Sequence, residues 1–217
     1  PSLKRLPPDR RREAAVALPS ILSMLAAPAG DVCVTSAMAV FSLEAAAGRA
    51  SIQRLVPVLF TLVFALTGSV DPIMGQNLGA GRYDRVHQTL TAALKIVVMS
   101  VSLTWGFLIC AQGLVVDIYS AHDEAAALIH LFSTWTIGSY LFVGMLFVAN
   151  SAFNNLGFPL YSTALNWGRA TLGTVPFGMA GERYGPLGVQ AGQAIGAVLF
   201  GTLAILTAFH VTRNLKT

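Results

Sequence analysis

The 217-residue sequence predicts an all-α membrane protein, a bundle of six transmembrane helices, on three observations. Hydrophobic residues make up 54% of the chain and charged residues only 11%, whereas soluble domains carry about 25% charged residues. Long apolar runs recur, among them Leu55 to Val70 without a charge and Leu90 to Leu114 with Lys95 alone. A span needs about 20 such residues. Basic residues also segregate. With the N-terminus inside, Lys4, Arg5, Arg10, Arg11, Arg12, Arg82, Arg85, Arg213 and Lys216 fall on one side, and only Arg49 and Arg183 on the other. Cytoplasmic loops are enriched in Lys and Arg, so this asymmetry places both termini in the cytoplasm.

Residues 1–13 read as a basic cytoplasmic flank, 14–211 as a six-helix transmembrane lobe, and 212–217 as a cytoplasmic tail. The first helix covers about Ala14 to Leu43, longer than a span needs, with Pro19 and Pro28 as kink sites. Glu44 to Arg49 reads as a short outer turn. The second helix runs from about Ala50 to Met74 and contains Arg54 and Pro57.

An inner turn follows, carrying Gly75, Gln76, Asn77, Gly79 and Gly81. Its glycines suit the positive φ values that end a helix. Asp84 suits the first turn of the next helix, where the dipole favours an acid. That third helix runs from about His87 to Leu114, with Lys95 near enough to its start to snorkel. Ser120-Ala121-His122-Asp123 has capping-box spacing for a fourth helix, about Glu124 to Asn150. Trp135 and Tyr140 in it read as packing or lipid-facing aromatics.

A second inner turn spans Asn154 to Pro159. It shares an Asn-Leu-Gly triplet with the first inner turn, too short a match to define a repeat. The fifth helix runs from about Leu160 to Ala180 and the outer turn from Gly181 to Pro186. The sixth helix covers about Leu187 to Val211. Gly188, Gly192 and Gly196 recur every four residues in it and form a smooth face suited to close helix packing.

Cys33 and Cys110 have no metal-ligand spacing and read as small buried hydrophobes. His87, His122, His130 and His210 are scattered and form no ligand pair. No metal site or cofactor is indicated. The net charge of +4 reads as topology, and no basic patch interleaved with aromatics marks a nucleic-acid partner. HExxH, GxSxG, GxGxxG and P-loop patterns are absent, and the glycine turn lacks the Lys and Ser/Thr that a P-loop uses. An intramembrane enzyme would need His, Asp or Ser at matching depth, and the chain offers only isolated groups. The basic start is followed by a run far longer than a signal-peptide core. A first residue Pro1 rather than Met suggests a piece of a longer protein.

Charges within a bilayer cost about 2.5–3.5 kcal/mol each at mid-helix, so they are the first functional candidates. These are Asp31, Arg54 and Arg169, with Asp71 near the inner end of the second helix. Asp31 is the one acid deep in a span. It suits a coupling-ion carrier or a structural counter-ion to Arg54 or Arg169. The arginines suit an anionic group of a substrate or neutralise Asp31. Asn150 and Asn166 suit substrate contact or interhelical hydrogen bonds.

One stretch carries a family resemblance. Gly75-Gln76-Asn77-Leu78-Gly79-Ala80-Gly81, followed by Asp84-Arg85, resembles the end of the second helix in the C-terminal half of multidrug and toxic compound extrusion (MATE) transporters. Asn154-Asn155-Leu156-Gly157, Asn166, Arg169 and Gly185-Pro186-Leu187-Gly188-Val189 follow in the matching order. The resemblance implies a secondary antiporter in the inner or plasma membrane, with Na⁺ or H⁺ as coupling ion. It also implies efflux of small, cationic or amphipathic substrates, and a partner N-terminal six-helix lobe missing from this chain. Some members place acids in the first and fourth helices of this lobe. Here the first helix has Asp31 and the fourth has none from Ala125 to Asn150. Alternatives are a lipid-linked precursor flippase of the wider superfamily, which an Arg-rich cavity would favour, and an inactive half-transporter remnant.

Overall fold

The computed structural model describes residues 8–213, with side chains from residue 17 onward apart from Ser20. The flank residues Lys4 and Arg5 and the tail residue Lys216 therefore lie outside the described residues. Every regular element among those described is helical. Helix α1, Pro8–Phe41, already begins within the expected flank. Its 34 residues reach about 50 Å at 1.5 Å per residue, well beyond a hydrocarbon core of about 30 Å.

The expected outer turn from Glu44 to Arg49 is not a turn. A single extended residue, Ser42, separates α1 from α2, Leu43–Leu59. The Ser42 hydroxyl accepts the Ala45 N–H at 3.0 Å and donates to the Glu124 carboxylate. Glu44 occupies the first helical turn, where the dipole favours an acid. Arg49 is drawn into the bundle and only 2% exposed. Arg49 belongs to a helix and not to a loop because its partner, Asp31, lies on α1, which one-dimensional polarity does not reveal.

The expected second helix is a bent pair. Helix α2 meets α3, Thr61–Gly79, at 49°. Pro57 cannot donate to the carbonyl four residues earlier and crowds it, which loosens the helix just before Phe60. Gly75, Gln76, Asn77 and Gly79 lie inside α3 rather than in a turn. Only Gly81 takes positive φ, at 68°. The Arg82 and Gly81 N–H groups reach Asn77 and Leu78 carbonyls at 2.8 and 3.0 Å, the Schellman pattern. The second inner turn repeats that pattern around Gly157, φ 83°, with Phe158 N–H on the Phe153 carbonyl at 2.8 Å. The shared Asn-Leu-Gly triplets do not align in these two turns, because Gly79 is helical and Gly157 is the left-handed residue.

Helix α4 is Tyr83–Ile118, with Asp84 in its first turn. Ser120 does not cap the following helix. It is the left-handed residue after α4, φ 46°, and the Ala121 N–H closes on the Val116 carbonyl at 3.0 Å. His122 is the N-cap of α5, Asp123–Thr134, and makes no side-chain capping bond. The expected fourth helix is broken at Trp135, a 3₁₀ stretch Thr136–Ser139 intervening before α6, Tyr140–Asn155. Trp105 holds the break, donating its indole N–H to the Thr134 carbonyl at 2.9 Å while its ring lies against Gly138.

Helix α7, Pro159–Gly168, passes through a π-helical segment Arg169–Gly173 into α8, Val175–Gly181. The widened turn ends three residues before Pro176, which cannot donate a helical hydrogen bond. Thr163 and Trp167 on α7 donate to the Pro19 and Leu22 carbonyls of α1 at 2.7 and 2.9 Å. A 3₁₀ turn, Glu182–Tyr184, and Gly185 at φ 71° reverse the chain into α9, Gly185–Arg213. A Cβ at Gly188, Gly192 or Gly196 would collide with the carbonyl oxygens of Gly181, Phe177 and Gly173 respectively. As the numbers rise on α9 they fall on α8, so these legs are antiparallel. The four-residue glycine spacing lets their backbones touch.

Among the described residues, four helical stretches are long and apolar enough to cross a membrane: Ala17–Phe41, Tyr83–Ile118, Thr136–Asn155 and Pro159–Arg213. The bent α2–α3 pair makes a fifth. The last stretch doubles back at Gly185 and so contributes two legs. Apolar side chains cover the outside as well as the core: Met24, Val40 and Leu43 are 78–84% exposed, while Phe60, Phe132 and Phe153 are buried. Cys33 and Cys110 belong to that exterior, both free and exposed rather than buried. In a bilayer protein an apolar residue is at home on either face, so hydropathy does not sort them.

A charged cavity inside the bundle

Asp31 in α1 and Arg49 in α2 form an ion pair, with Nη2 to Oδ1 at 2.7 Å. The Arg49 side chain is 3% exposed and that of Asp31 44%. Gln193 of α9 donates to the same Asp31 oxygen at 3.4 Å. These groups line a cavity of about 140 Å³ together with Thr136, Ser139, Tyr140, Arg169 and Gln190. That is room for several waters or one small polar group.

The breaks in the helices build this cavity. Phe60, at the α2–α3 bend, stacks on Tyr140 with ring centroids 4.7 Å apart and planes 3° from parallel. Phe132 also meets Tyr140, edge-on, at 5.9 Å and 90°. The 3₁₀ stretch brings Thr136 and Ser139 into the wall, and Gln190 donates to the Thr136 hydroxyl at 3.5 Å. Arg169 is the first residue of the π segment, and its carbonyl accepts the Thr174 hydroxyl at 3.0 Å. The Nε atoms of Arg49 and Arg169 and the Gln190 carbonyl oxygen are buried without a hydrogen-bond partner. Two guanidinium groups face one carboxylate here, so the cavity carries a net positive charge.

A second cavity of about 370 Å³ is lined by Asp71, Asn150, Asn154, Ser162 and Asn166, and shares Ala27, Phe64 and Phe147 with the first. The Phe64 and Phe147 rings meet edge-on in that shared wall, at 5.6 Å and 62°. Asp71 accepts from the Asn155 amide at 3.2 Å.

Of the residues singled out in the sequence, the structure brings Asp31 and Arg169 to the first cavity and Asn150 and Asn166 to the second. The Asn166 amide bonds back to the Ser162 carbonyl at 2.8 Å, within its own helix, while the Asn150 side-chain oxygen is buried and unpartnered. Arg54 is exposed and lines neither cavity. The ion-pair partner of Asp31 is thus Arg49, not Arg54 or Arg169. Tyr140 is a cavity wall as well as a packing aromatic, while Trp135 is 75% exposed on the outside. Sequence reasoning missed Arg49, Gln190 and Gln193. The two glutamines did carry a signal, as amides three residues apart in an otherwise apolar helix. Among the described residues no group of three or more His, Cys, Asp or Glu is placed to hold a metal ion.

Comparison with solved structures gives the same bundle. A variant of the Vibrio cholerae MATE transporter VcmN superposes with a TM-score of 0.89 at 21% identity, covering 97% of this chain and 49% of that one. A MOP superfamily transporter from Pyrococcus furiosus, described as having a binding pocket of reverse polarity, superposes with a TM-score of 0.85 at 18% identity over 94% of this chain and 47% of that one. In sequence, an uncharacterized 21 kDa protein from the iaaL 5′ region of Pseudomonas savastanoi is 32% identical over 202 residues, 90% of this chain and 65% of its own length. A protein of Shewanella oneidensis named as an FAD transporter is 24% identical over 200 residues, 92% of this chain and 41% of its own. The chain thus spans less than two thirds of these relatives and about half of the solved structures. Its long apolar helices make the chain a multi-pass membrane protein, and the MatE family model matches residues 19–179, most of the chain, which therefore belongs to the MatE family.

Proposed function

We propose that the chain is one six-span lobe of a secondary exporter of small molecules, driven by a Na⁺ or H⁺ gradient and completed by an N-terminal lobe. The lobe sits in the inner or plasma membrane with both ends of the chain in the cytoplasm. The observation that carries this reading is the ionised cavity of Asp31, Arg49 and Arg169 inside a bundle that matches half of a two-lobe transporter. Ionisable groups are costly in a membrane interior and characteristically mark ion or substrate pathways. Binding at mid-membrane and rocking of two lobes then give alternating access. The Asp31 carboxylate, paired on one oxygen and partly open, is the candidate carrier of the coupling ion.

A second reading concerns the cargo. The net positive cavity is a poor receptor for the cationic compounds that the resemblance first implied. It better suits an anionic cargo, whether a soluble one, as the name of the Shewanella relative suggests for that protein, or a lipid-linked precursor moved by a flippase.

The test is export by the chain co-expressed with an N-terminal MatE lobe in cells lacking their own efflux pumps. Ethidium and carboxyfluorescein serve as cationic and anionic probes under imposed Na⁺ and proton gradients. Gradient-driven export of either dye, lost in Asp31→Asn protein when the two are compared at equal amounts in the membrane, is the expected result. Export equal to the vector control for both dyes under both gradients sinks the transport reading and leaves an inactive remnant.

A further inference from the structure

We propose that Arg169 anchors an anion subsite, which holds a phosphate or carboxylate group of the cargo against the wall formed by Thr136, Gln190 and Gln193. The proposal rests on the reading that this cavity faces the cargo, and it names the chemistry of what the cavity holds.

Asp31 and Arg49 neutralise each other across 2.7 Å. Arg169 is left in the same cavity with a buried Nε that meets no acceptor. A guanidinium does not lose its proton in a protein, so it cannot escape the cost of burial by becoming neutral. It needs an anion. Its backbone is held by the Thr174 hydroxyl on the Arg169 carbonyl, at the head of the π segment, and π segments recur at functional sites.

The surrounding groups fit an oxyanion better than a cation. Arg169 presents the planar fork that binds phosphate or carboxylate with two parallel hydrogen bonds. The amide of Gln190 is held only at 3.5 Å by Thr136, and that of Gln193 at 3.4 Å by Asp31. Both are long contacts, so both N–H groups can turn toward a stronger acceptor at little loss. The Gln190 carbonyl oxygen, buried and unpartnered, suits a hydroxyl on the cargo or on a singly protonated phosphate. An organic cation of the cargo placed beside Arg169 would meet two guanidiniums and a carboxylate already paired on one oxygen. The volume of about 140 Å³ admits the charged group alone, leaving the rest of the cargo outside this cavity.

The competing occupant is an acid of the N-terminal lobe, which would make Arg169 a structural counter-ion. Binding measurements on the full 217-residue chain in phosphatidylcholine nanodiscs separate the two. The probes are ADP, adenosine and tetraphenylphosphonium, read by equilibrium dialysis. ADP is expected to bind at least about tenfold more tightly than adenosine, the scale of one charge-assisted bidentate contact. Arg169→Gln should erase that preference while leaving adenosine binding unchanged, and Arg169→Lys should retain part of it. Repeating the dialysis with the N-terminal lobe present keeps the preference if Arg169 serves the cargo. Equal binding of ADP and adenosine by the parent chain, a preference for tetraphenylphosphonium, or loss of the ADP preference once the N-terminal lobe is added overturns the proposal, and none of these needs the variant to fold. A preference that persists in well-folded Arg169→Gln protein overturns it as well.

A further arm loads the discs with a polyprenyl phosphate. Displacement of ADP by that lipid assigns the subsite to a lipid-linked headgroup, and undisturbed ADP binding assigns it to a soluble anion. The transport reading fails separately. An ADP preference lost in Arg169→Gln, in a protein that exports neither dye, keeps the subsite and rejects the exporter. Ethidium export without any ADP preference does the reverse.

Discussion

Asp31 and Arg49 form the pair on which the cavity depends, and they are unequal partners. Arg49 is 3% exposed along its side chain and has no other charge to answer it, whereas Asp31 keeps 44% of its side chain open. Removing the acid is therefore the harsher change. In a fully buried pair the loss of one partner costs about 3–5 kcal/mol. Asp31 is only partly enclosed, which lowers this figure, so about 2 kcal/mol is the expected loss for Asp31→Asn. Lower yield and a lower Tm in detergent should report it, and Asp31→Asn with Arg49→Gln should recover most of both. Arg54→Gln, on an exposed side chain outside both cavities, should leave Tm unchanged. A double variant no better than Asp31→Asn alone would mean that the pair is not the source of the loss. Asp31 was legible in the sequence because an acid stands out in an apolar run. Its partner was not, because Arg49 sits next to Glu44 in a stretch whose local polarity imitates a loop.

At the level of elements, the glycines of the inner turn have separable tasks. Gly81 is left-handed at φ 68°, while Gly79 is the last residue of α3 and a Cβ there would meet nothing within 4 Å. Gly81→Ala should cost about 1–2 kcal/mol, the penalty of an L-residue in the left-handed region. Gly79→Ala should be neutral or raise stability by up to about 1 kcal/mol, since alanine restricts the unfolded chain and favours the helix. Thermal unfolding of the two variants side by side decides the matter, and equal shifts would contradict the Schellman geometry at Gly81. The same logic reversed applies to Ser120, a non-glycine residue at φ 46° after α4, where glycine should stabilise. In the glycine stripe of α9 the requirement is space rather than φ. The four-residue spacing was enough to recognise that stripe. The breaks at Phe60, Trp135 and Arg169 were not recognisable as such. Prolines mark two of them, but Trp135 breaks its helix through tertiary contacts made by Trp105.

For the whole molecule, withdrawing Arg49 into the bundle sharpens the charge asymmetry that sets its orientation. In the expected orientation, Arg183 is then the one basic residue outside spans on the outer side, against Lys4, Arg5, Arg10, Arg11, Arg12, Arg82, Arg85, Arg213 and Lys216 on the inner side. Both termini and the turns around Gly81 and Gly157 are therefore expected in the cytoplasm. Single cysteines in a background lacking the exposed Cys33 and Cys110 test this. An impermeant maleimide added to intact cells should reach Tyr184→Cys, a site 80% exposed, and should not reach Ala80→Cys. Labelling of position 80 from outside would invert the orientation.

Composition and the periodic return of long apolar runs determined by themselves that this is a helical membrane protein. Hydrocarbon leaves the backbone no other local way to satisfy its hydrogen bonds. The glycine-rich stretch from Gly75 to Gly81 sufficed for the family resemblance, because it is one continuous run of sequence. Which charges meet was decided only by the tertiary structure. Asp31, Arg49 and Arg169 lie on three different helices, and an ion pair across 2.7 Å depends on how helices cross and bend. Exposure was decided there too. In lipid both the inside and the outside of a bundle are apolar, so hydropathy alone separated neither Cys33 from the core nor Arg54 from the cavity.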